Sequence, residues 1–217
     1  MSQNDKDRQL QRRVLMTALA DAPFDGFTPS LLSAACAANK VGLIVQARLF
    51  PNGVLSLVEA FSHWADEEML SRLDPSALGS MKIRARIELC VLTRLEVLGP
   101  YKEAARRAGA FLSLPMHAPL AAKLVWHSVD AMWRAAGDSA SDFNFYTKRA
   151  ILAGVYSATL VRWFNDDSED EAATKVFLAR RISDVMRFES FKAELRKRLR
   201  GAQGPLSAAA RRRGTRA

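Results

Sequence analysis

The sequence predicts an all-α protein. Apolar residues recur at spacings of three and four along most of the 217-residue chain, which is the spacing of one buried helix face. Alternating runs of β-branched residues, which would indicate strands, are hard to find. Because 49% of the residues are hydrophobic, the chain can bury a sizeable core, so we expect one domain, or one domain with a small appendage.

Each helix is predicted from its apolar spacing and its end signals. A first helix is marked by Leu10, Val14, Leu15 and Leu19, and a long middle one by Val54, Leu57, Phe61, Ala65 and Met69. Asp74 followed by Pro75 is typical of an N-cap and the first helical position. We expect the other helices at about residues 31–38, 41–50, 81–97, 102–112, 119–136, 145–164 and 170–187.

Basic residues are concentrated at the C-terminal end. Residues 187–217 contain ten Lys or Arg and two Glu, a net charge of +8 out of +9 for the whole chain. The preceding 186 residues are nearly neutral, with twenty-two basic and twenty-one acidic groups. Proteins that bind nucleic acid usually present a broad positive face, so we expect no nucleic-acid partner.

Several features indicate a soluble body in a reducing compartment. Cys36 and Cys90 have no paired spacing, which favours free buried thiols over a disulfide framework. The N-terminal residues include acidic side chains and no apolar run, so we expect neither a secretory signal nor a transit peptide. The longest nearly apolar run, residues 150–161, is shorter than the roughly 20 residues that cross a bilayer.

No pattern of residues predicts catalysis. His63, His117 and His127 have no metal-ligand spacing, and a di-iron bundle would need repeated Glu-x-x-His pairs. His63 shares a helical face with Asp66 and Glu67, a pattern more typical of a solvated or capped histidine than of a site. Glycine-rich phosphate loops, nucleophile elbows and CxxC motifs do not occur. We therefore predict a non-enzymatic protein that needs no metal and no cofactor.

A long motif in the second half of the chain carries the strongest functional signal. Residues 130–138 read DAMWRAAGD and residues 141–150 read SDFNFYTKRA, with Trp, Gly, Asp, Asn and Tyr at fixed spacing. This motif resembles that of the lipid-binding accessory protein family of coenzyme Q (ubiquinone) biosynthesis, the ninth Coq protein. The resemblance is close from about residue 115 to 186. One departure is Phe145, where the family usually has Trp, because the replacement keeps the ring but loses the indole donor.

The resemblance implies an isoprenoid quinone lipid between the central helices. From periodicity alone, the wide apolar faces of helices 119–136 and 145–164 favour an ordinary core plus a dimer interface. The family implies instead a lipid site, with helices 145–164 and 170–187 in a homodimeric four-helix contact. Candidate lipid-binding residues are Leu124, Val125, Met132, Trp133, Tyr156 and Thr159, of which the last two would orient a quinone head.

The resemblance also implies a protein partner, the di-iron demethoxyubiquinone hydroxylase, to which the quinone intermediate is presented. Candidate docking residues are Asp142, Phe145, Tyr146 and Arg149, because exposed rings beside an arginine are good interface anchors. The alternative is a structural role, with Asp142 capping a helix and Phe143 or Tyr146 in the core. We expect both roles to operate.

The first third of the chain resembles a helix-turn-helix of the tetracycline-repressor type. The segment ARLFPNGVLSLVEAF, residues 47–61, is similar to the exit from the recognition helix in that family. In the predicted recognition helix, residues 41–50, the apolar Leu43, Ile44 and Val45 stand where repressors offer polar groups to DNA. We predict a repressor-like helical bundle with a degenerate DNA-binding motif. The alternative function is a tetracycline-repressor-type transcriptional regulator with a hydrophobic effector.

The C-terminal residues form a basic amphipathic pattern. Apolar side chains lie at i, i+3, i+7 and i+11 among basic ones, at Phe188, Phe191, Leu195 and Leu199. This pattern is typical of a helix in an anionic membrane interface, and the resemblance favours the same role. The alternatives are a terminal helix packed on the body, or a calmodulin-like or nucleic-acid-binding segment.

These segments divide the chain into four predicted parts. Residues 1–73 form the degenerate helix-turn-helix and the first long helix, 74–187 the lipid-binding and dimerisation domain, 188–200 the membrane-contact helix and 201–217 a disordered basic tail. The expected location is cytoplasmic and peripheral to the inner membrane. For a processed mitochondrial form it would be the matrix face of that membrane.

Overall fold

The computed structural model describes residues 2–138 and 143–185, which form α-helices and short 3-10 turns without a strand. The all-α prediction is confirmed. In chain order the helices are α1 (Gln3–Asp25), α2 (Pro29–Ala38), α3 (Leu43–Leu49), α4 (Val54–Arg72), α5 (Pro75–Ser80), α6 (Ile83–Leu98), α7 (Lys102–Leu112), α8 (Ala118–Ala135), α9 (Phe143–Phe164) and α10, residues 172–185.

Local side-chain signals set several helix ends. Ser2 and Asp5 form a capping box that satisfies the first backbone N–H groups of α1. The predicted cap at Asp74 is confirmed, because its carboxylate accepts a 2.9 Å hydrogen bond from the Ser76 backbone. Gly26 ends α1 with a φ of 63°, a conformation that glycine adopts without steric cost.

Several predicted boundaries differ from the observed ones, and three of the differences have a clear backbone cause or affect the site. Helix α3 is shorter than residues 41–50, because Gly42 is extended and Phe50 leaves the helical region with a φ of −131°. Helix α9 begins at Phe143, two residues before the predicted start. Helix α10 follows a 3-10 turn, Glu169–Glu171, where Asp170 has a φ of 49° and interrupts the predicted helix.

The core is built around α4, which packs against α1, α6 and α8, while α8 packs in turn against α9. Fully buried residues of α4 and α6 include Leu57, Met69, Val91 and Leu95. Helices α1 and α2 pack on each other, and α1 also contacts α7. This packing surrounds a space between α4, α6, α7, α8 and α9, where the candidate site lies.

Candidate functional site

A buried polar cluster lies between α4, α6, α8 and α9. Asp66 of α4 is 2% exposed, and its Oδ1 accepts a 2.6 Å hydrogen bond from Arg94 Nε of α6. The Arg94 guanidinium also donates to the Tyr156 hydroxyl on α9. Ser128 of α8 donates to Asp66 Oδ2 at 3.1 Å. Four helices therefore meet at one buried ion pair whose polar groups satisfy each other.

Burial sets the protonation of this cluster. It raises the pKa of Tyr156 to about 12, so the hydroxyl keeps its proton at neutral pH. Burial works against the charged form of Arg94, but Tyr156 and Asp66 together hold the pKa of the guanidinium above its usual value. Because the Tyr156 oxygen accepts from Arg94, the Tyr156 proton can be donated to a further acceptor.

A cavity of about 520 Å³ opens beside the cluster. Its buried end is lined by Arg94, Ser128 and Tyr156. Apolar side chains from five helices form its walls, namely Val58, Phe61, Leu98, Ala108, Leu124, Val125 and Leu160. Its exposed rim includes Arg106, Ala110, Ser113, Ser157, Val161 and Asn165. Its polar buried end and apolar walls suit an amphipathic molecule whose polar head is buried. Its volume lies within the range of roughly 300–1,000 Å³ that is typical of ligand pockets.

The predicted lipid-binding residues are divided between different environments. Leu124, Val125 and Tyr156 line this cavity. Trp133 lines a second cavity of about 400 Å³ between α6, α8, α9 and α10, and its indole N–H donates to the Lys148 carbonyl at 3.2 Å. The structure therefore brings three of the six residues together.

Met132 and Thr159 are fully buried and line neither of these two cavities. The Thr159 hydroxyl donates to the Val155 carbonyl one turn earlier, at 2.7 Å, so it is not aimed at a ligand head in this structure. Periodicity identified the inward face of each helix correctly. It could not show how deeply each residue is enclosed by neighbouring helices.

Three rings form a cluster on the surface at the start of α9, and we call Trp126, Phe145 and Tyr146 the aromatic surface cluster. The Trp126 and Tyr146 ring centroids are 6.2 Å apart, and those of Phe145 and Tyr146 are 5.1 Å apart. Tyr146 is 61% exposed, which contradicts the alternative that its ring lies in the core. Sequence spacing could not place Trp126 in this surface, because Trp126 lies on α8 and is brought there by the pairing of α8 with α9.

Arg149 lies beneath this surface instead of on it. Its side chain is 1% exposed, with Nε 2.6 Å from Asp130 Oδ1 and Nη1 3.1 Å from Asp138 Oδ2. The Phe145 ring covers it, with 3.4 Å between the guanidinium carbon and the ring centroid. The expected exposed arginine anchor is therefore a buried clamp between α8 and α9, which supports Phe145 from below.

Other predicted contacts lie outside the described residues. These are the docking residue Asp142 and the membrane-contact residues Phe188, Phe191, Leu195 and Leu199, whose roles stay predictions. Among the described helices, no single one has the length and apolarity of a membrane span. Two helix pairs with sharp bends meet that test jointly, Pro29–Ala38 with Leu43–Leu49 and Ile83–Leu112 with Pro115–Ala135.

The predicted recognition helix presents apolar side chains to the outside. Leu43 and Ile44 of α3 are 81% and 87% exposed, as the sequence predicted, whereas Val45 is half-buried. Arg48 is exposed but its Nη2 lies 3.0 Å from Asp7 Oδ1 of α1. This surface therefore lacks the row of free polar and basic groups that a recognition helix offers to DNA.

His63 belongs to a stacked histidine pair that the sequence pattern did not predict. Its ring lies 4.4 Å from that of His127, whose Nδ1 is 3.0 Å from Asp66 Oδ2. Burial first, and then the neighbouring His127, lower the pKa of His63. Within residues 2–138 and 143–185, no three His, Cys, Asp or Glu side chains are grouped to hold a metal.

Comparison with known proteins gives a family match to the part of the chain that contains α8 and α9. A family model described as COQ9 matches residues 118–189, which include α8, α9 and the aromatic surface cluster. Residues 118–189 are therefore similar to the COQ9 family. The resemblance predicted from the motif is thereby confirmed.

The similarity to COQ9 proteins extends beyond that segment. The chain is 35% identical over 192 residues to the mitochondrial ubiquinone biosynthesis protein COQ9 of Bos taurus. The identity is 34% over 190 residues for the protein of the same name from Rattus norvegicus and 33% over 190 residues for that of Homo sapiens. These alignments cover 84% of this chain, which spans about 59% of the length of the curated relatives.

A solved structure confirms the repressor-like fold of this chain. The crystal structure of a TetR transcriptional regulator from Nitrosomonas europaea superimposes with a TM-score of 0.64 at 20% sequence identity. The match covers 81% of this chain and 97% of the regulator. At this identity the likeness establishes the fold, and function must be argued from the site.

Proposed function

We propose that this chain is a non-catalytic protein of ubiquinone biosynthesis that binds an isoprenoid quinone intermediate in the cavity beside Arg94 and Tyr156. The observation that carries this proposal is the combination of apolar walls with a buried polar end in one cavity of about 520 Å³. The similarity to the COQ9 family, and relatives named as ubiquinone biosynthesis proteins, support a quinone as the ligand.

The chemistry of a quinone matches the two ends of the cavity. Its ring carries oxygen atoms that accept hydrogen bonds, and the protonated Tyr156 is a donor at the buried end. Arg94 holds the Tyr156 oxygen in place. The isoprenoid chain would lie against Leu124 and Val125 and leave over the rim near Val161. Removing its apolar surface from water contributes about 25 cal/mol per Å² and supplies most of the affinity.

The proposed role of the polar cluster is orientation and not reaction chemistry. The two Asp66 oxygens accept hydrogen bonds from Arg94 and Ser128, and Tyr156, with a pKa of about 12, retains its proton. A general acid or base works best when its pKa lies near the operating pH. We therefore assign the chemical step to a partner enzyme.

We propose that the aromatic surface cluster docks the di-iron demethoxyubiquinone hydroxylase. Trp126 and Tyr146 are 36% and 61% exposed, and aromatic rings are enriched among the residues that dominate binding energy. Tyr146 and Tyr156 are ten residues apart on α9, which corresponds to roughly 15 Å along the helix. A hydroxylase docked on the cluster would thus lie close to the buried quinone head.

A homodimeric, peripheral membrane arrangement completes the proposal. Helices α9 and α10 would form the contact between protomers, and residues 188–200 would lie in the inner-membrane interface. Relatives named as mitochondrial support the matrix face for a mitochondrial form. Replacing Phe191 and Leu195 by Ser should weaken binding to anionic vesicles, and unchanged binding would exclude this membrane contact.

Lipid extraction tests the quinone proposal. Mass spectrometry of lipids from the purified protein should detect isoprenoid quinone species. Ala121→Phe, which places a ring in the cavity, should remove most of them, whereas Ala122→Phe at the neighbouring exposed position should not. Circular dichroism of both variants checks that the fold is retained. Lipids without an isoprenoid chain, or equal loading of the two variants, would refute the proposal.

The regulator alternative is weakened by the exposed Leu43 and Ile44, which would bring apolar bulk to the DNA groove. The regulator alternative predicts sequence-specific DNA binding. We expect no sequence-specific DNA binding at physiological salt, because phosphate contacts need a basic face that the body of the chain lacks. A specific footprint that survives removal of residues 188–217 would favour the regulator.

A further inference from the structure

The outer surface of α2 and α3 has an unusual charge pattern. The chain contains no Asp or Glu from residue 26 to residue 58, and the cations in that stretch are Lys40 and Arg48. The exposed positions of α2 are small and neutral, including Ser33, Ala34 and Ala37. No residue of this stretch therefore contributes a negative charge to the outer surface.

Helix α3 places large aliphatic side chains on that surface. Leu43 and Ile44 are 81% and 87% exposed, and Ala47 and Arg48 follow on the same side of the helix. These four positions lie within about 140° of arc on an α-helix. Lys40, in the turn before α3, is exposed and forms no ion pair among the described residues, whereas Arg48 shares its charge with Asp7.

We propose that the α3 face, made by Lys40, Leu43, Ile44, Ala47 and Arg48, inserts into the interface of an anionic lipid membrane. Adjacent exposed aliphatic side chains gain by entering the acyl boundary, and cations beside them are attracted to anionic headgroups. The face is thus a membrane contact in its own right. It depends neither on a ligand in the cavity nor on residues 188–200.

The composition of the α3 face favours lipid over other partners. Protein interfaces are dominated by Trp, Tyr and Arg, with Leu under-represented among the energetically important residues, and this face has no ring. DNA grooves are contacted through polar and basic side chains, and Leu43 and Ile44 have no such groups. A lipid interface needs no directional partner, because burial of apolar surface is non-directional.

A fluorophore on the α3 face provides a local test. Ala47→Cys, labelled with an environment-sensitive dye, keeps Leu43 and Ile44 in place. Selective labelling is feasible because both native thiols are enclosed, with Cys36 1% and Cys90 0% exposed, and burial raises the pKa of each thiol. The labelled full chain is mixed with phosphatidylcholine vesicles, with or without phosphatidylglycerol. A blue shift of the dye is expected with the anionic vesicles.

Two variants in the labelled background make the test specific. Leu43→Ser combined with Ile44→Ser should lower the apparent vesicle affinity reported by the dye about tenfold, because the inserted aliphatic groups are gone. Phe24→Ser removes a ring that is 84% exposed between Asp21 and Asp25, and should leave the signal unchanged. Because all three positions are exposed, these substitutions should not affect folding, and circular dichroism checks this.

Three outcomes would overturn the proposal. The first is vesicle binding without a dye shift, which would place the membrane contact elsewhere in the chain. The second is an equal shift with neutral and anionic vesicles. The third is a shift with duplex DNA and none with vesicles, which would assign the α3 face to nucleic acid. None of these outcomes bears on quinone binding, which lipid extraction tests separately.

Discussion

Two buried arginines in this fold show how the same chemistry serves different purposes. Arg94 and Arg149 are 4% and 1% exposed, and each donates to an aspartate through Nε at 2.6 Å. Arg94 also holds a tyrosine hydroxyl at the edge of a cavity. Arg149 is closed off by two carboxylates and the overlying Phe145 ring.

The difference lies in what each guanidinium can still reach. Arg94 and the Tyr156 hydroxyl line an open volume, so a ligand can use the polar groups that the cluster presents. Arg149 joins the end of α8 to the start of α9 and faces no such volume. We therefore interpret Arg94 as part of a binding site and Arg149 as a structural clamp that fixes the aromatic surface cluster.

Removal of the clamp should have the largest effect on stability. Arg149→Ala removes the buried cation that Asp130 and Asp138 share. Because Lys148 still pairs with Asp138, the free energy of unfolding should fall by about 3 kcal/mol, the lower end of the cost of breaking a buried ion pair. Arg134 also pairs with Asp130, but its side chain is 70% exposed, so Arg134→Ala should cost less than about 1 kcal/mol. Urea denaturation measures both. If Arg149→Ala and Arg134→Ala lost equal free energies of unfolding, Arg149 would not act as the clamp.

The next largest effect should be on partner binding. Tyr146→Ala should weaken hydroxylase binding by about 2 kcal/mol or more, well over tenfold, without changing the melting temperature. Phe145→Ala should weaken binding less, since this ring has no polar donor. Titration with the hydroxylase, beside thermal melting, distinguishes the roles. If Tyr146→Ala melts far earlier while the folded fraction binds normally, the docking proposal fails.

A smaller effect is expected at the cavity. Tyr156→Phe removes the donor to the quinone and should lower quinone affinity about tenfold, equivalent to about 1.4 kcal/mol. Thr159→Val on the same helix removes a buried hydroxyl that bonds to the Val155 carbonyl, and should leave the affinity unchanged. Quinone titration monitored by fluorescence provides the measurement. A loss in Thr159→Val equal to that in Tyr156→Phe would show that Tyr156 has no special role.

The smallest effect concerns pH. Burial and His127 lower the pKa of His63 below its unfolded value of about 6.5, so the folded state favours the neutral ring. The resulting stability is complete above that unfolded value and is lost as the pH falls through the lower folded pKa. Replacing His63 by Phe should therefore reduce the loss of stability as the pH falls below about 6.5. The free energy of unfolding is measured above and below that pH. The prediction would be contradicted if the variant lost more of this free energy on acidification than the native chain.

The helices could be predicted from the sequence because each one repeats its apolar spacing over several turns. The outward position of Leu43 and Ile44 followed instead from the resemblance to a repressor helix-turn-helix, in which these positions face the DNA. The cavity could not be predicted, because its volume depends on how five separate helices pack. Met132 and Thr159 show the limit of prediction from apolar spacing. Each was assigned to the correct helix face, but both are fully buried and line neither cavity.

One signal for the polar cluster was present in the sequence. In α6 the apolar spacing of Ile87, Val91 and Leu98 includes Arg94, so an arginine occupies a core position and needs a buried carboxylate. The identity of that carboxylate could not be read, because Asp66 lies 28 residues earlier on another helix. The helical face that Asp66 shares with His63 and Glu67 predicted only a solvated or capped histidine.

Photo-crosslinking with a quinone that carries a diazirine on its isoprenoid chain locates the bound lipid. We expect adducts on the walls of the cavity beside Arg94, at Leu124, Val125 and Leu160, and their loss in Ala121→Phe. Adducts at Trp133 and Ile151 would place the lipid in the second cavity. That result, or adducts that persist unchanged in Ala121→Phe, would contradict the assignment of the binding site.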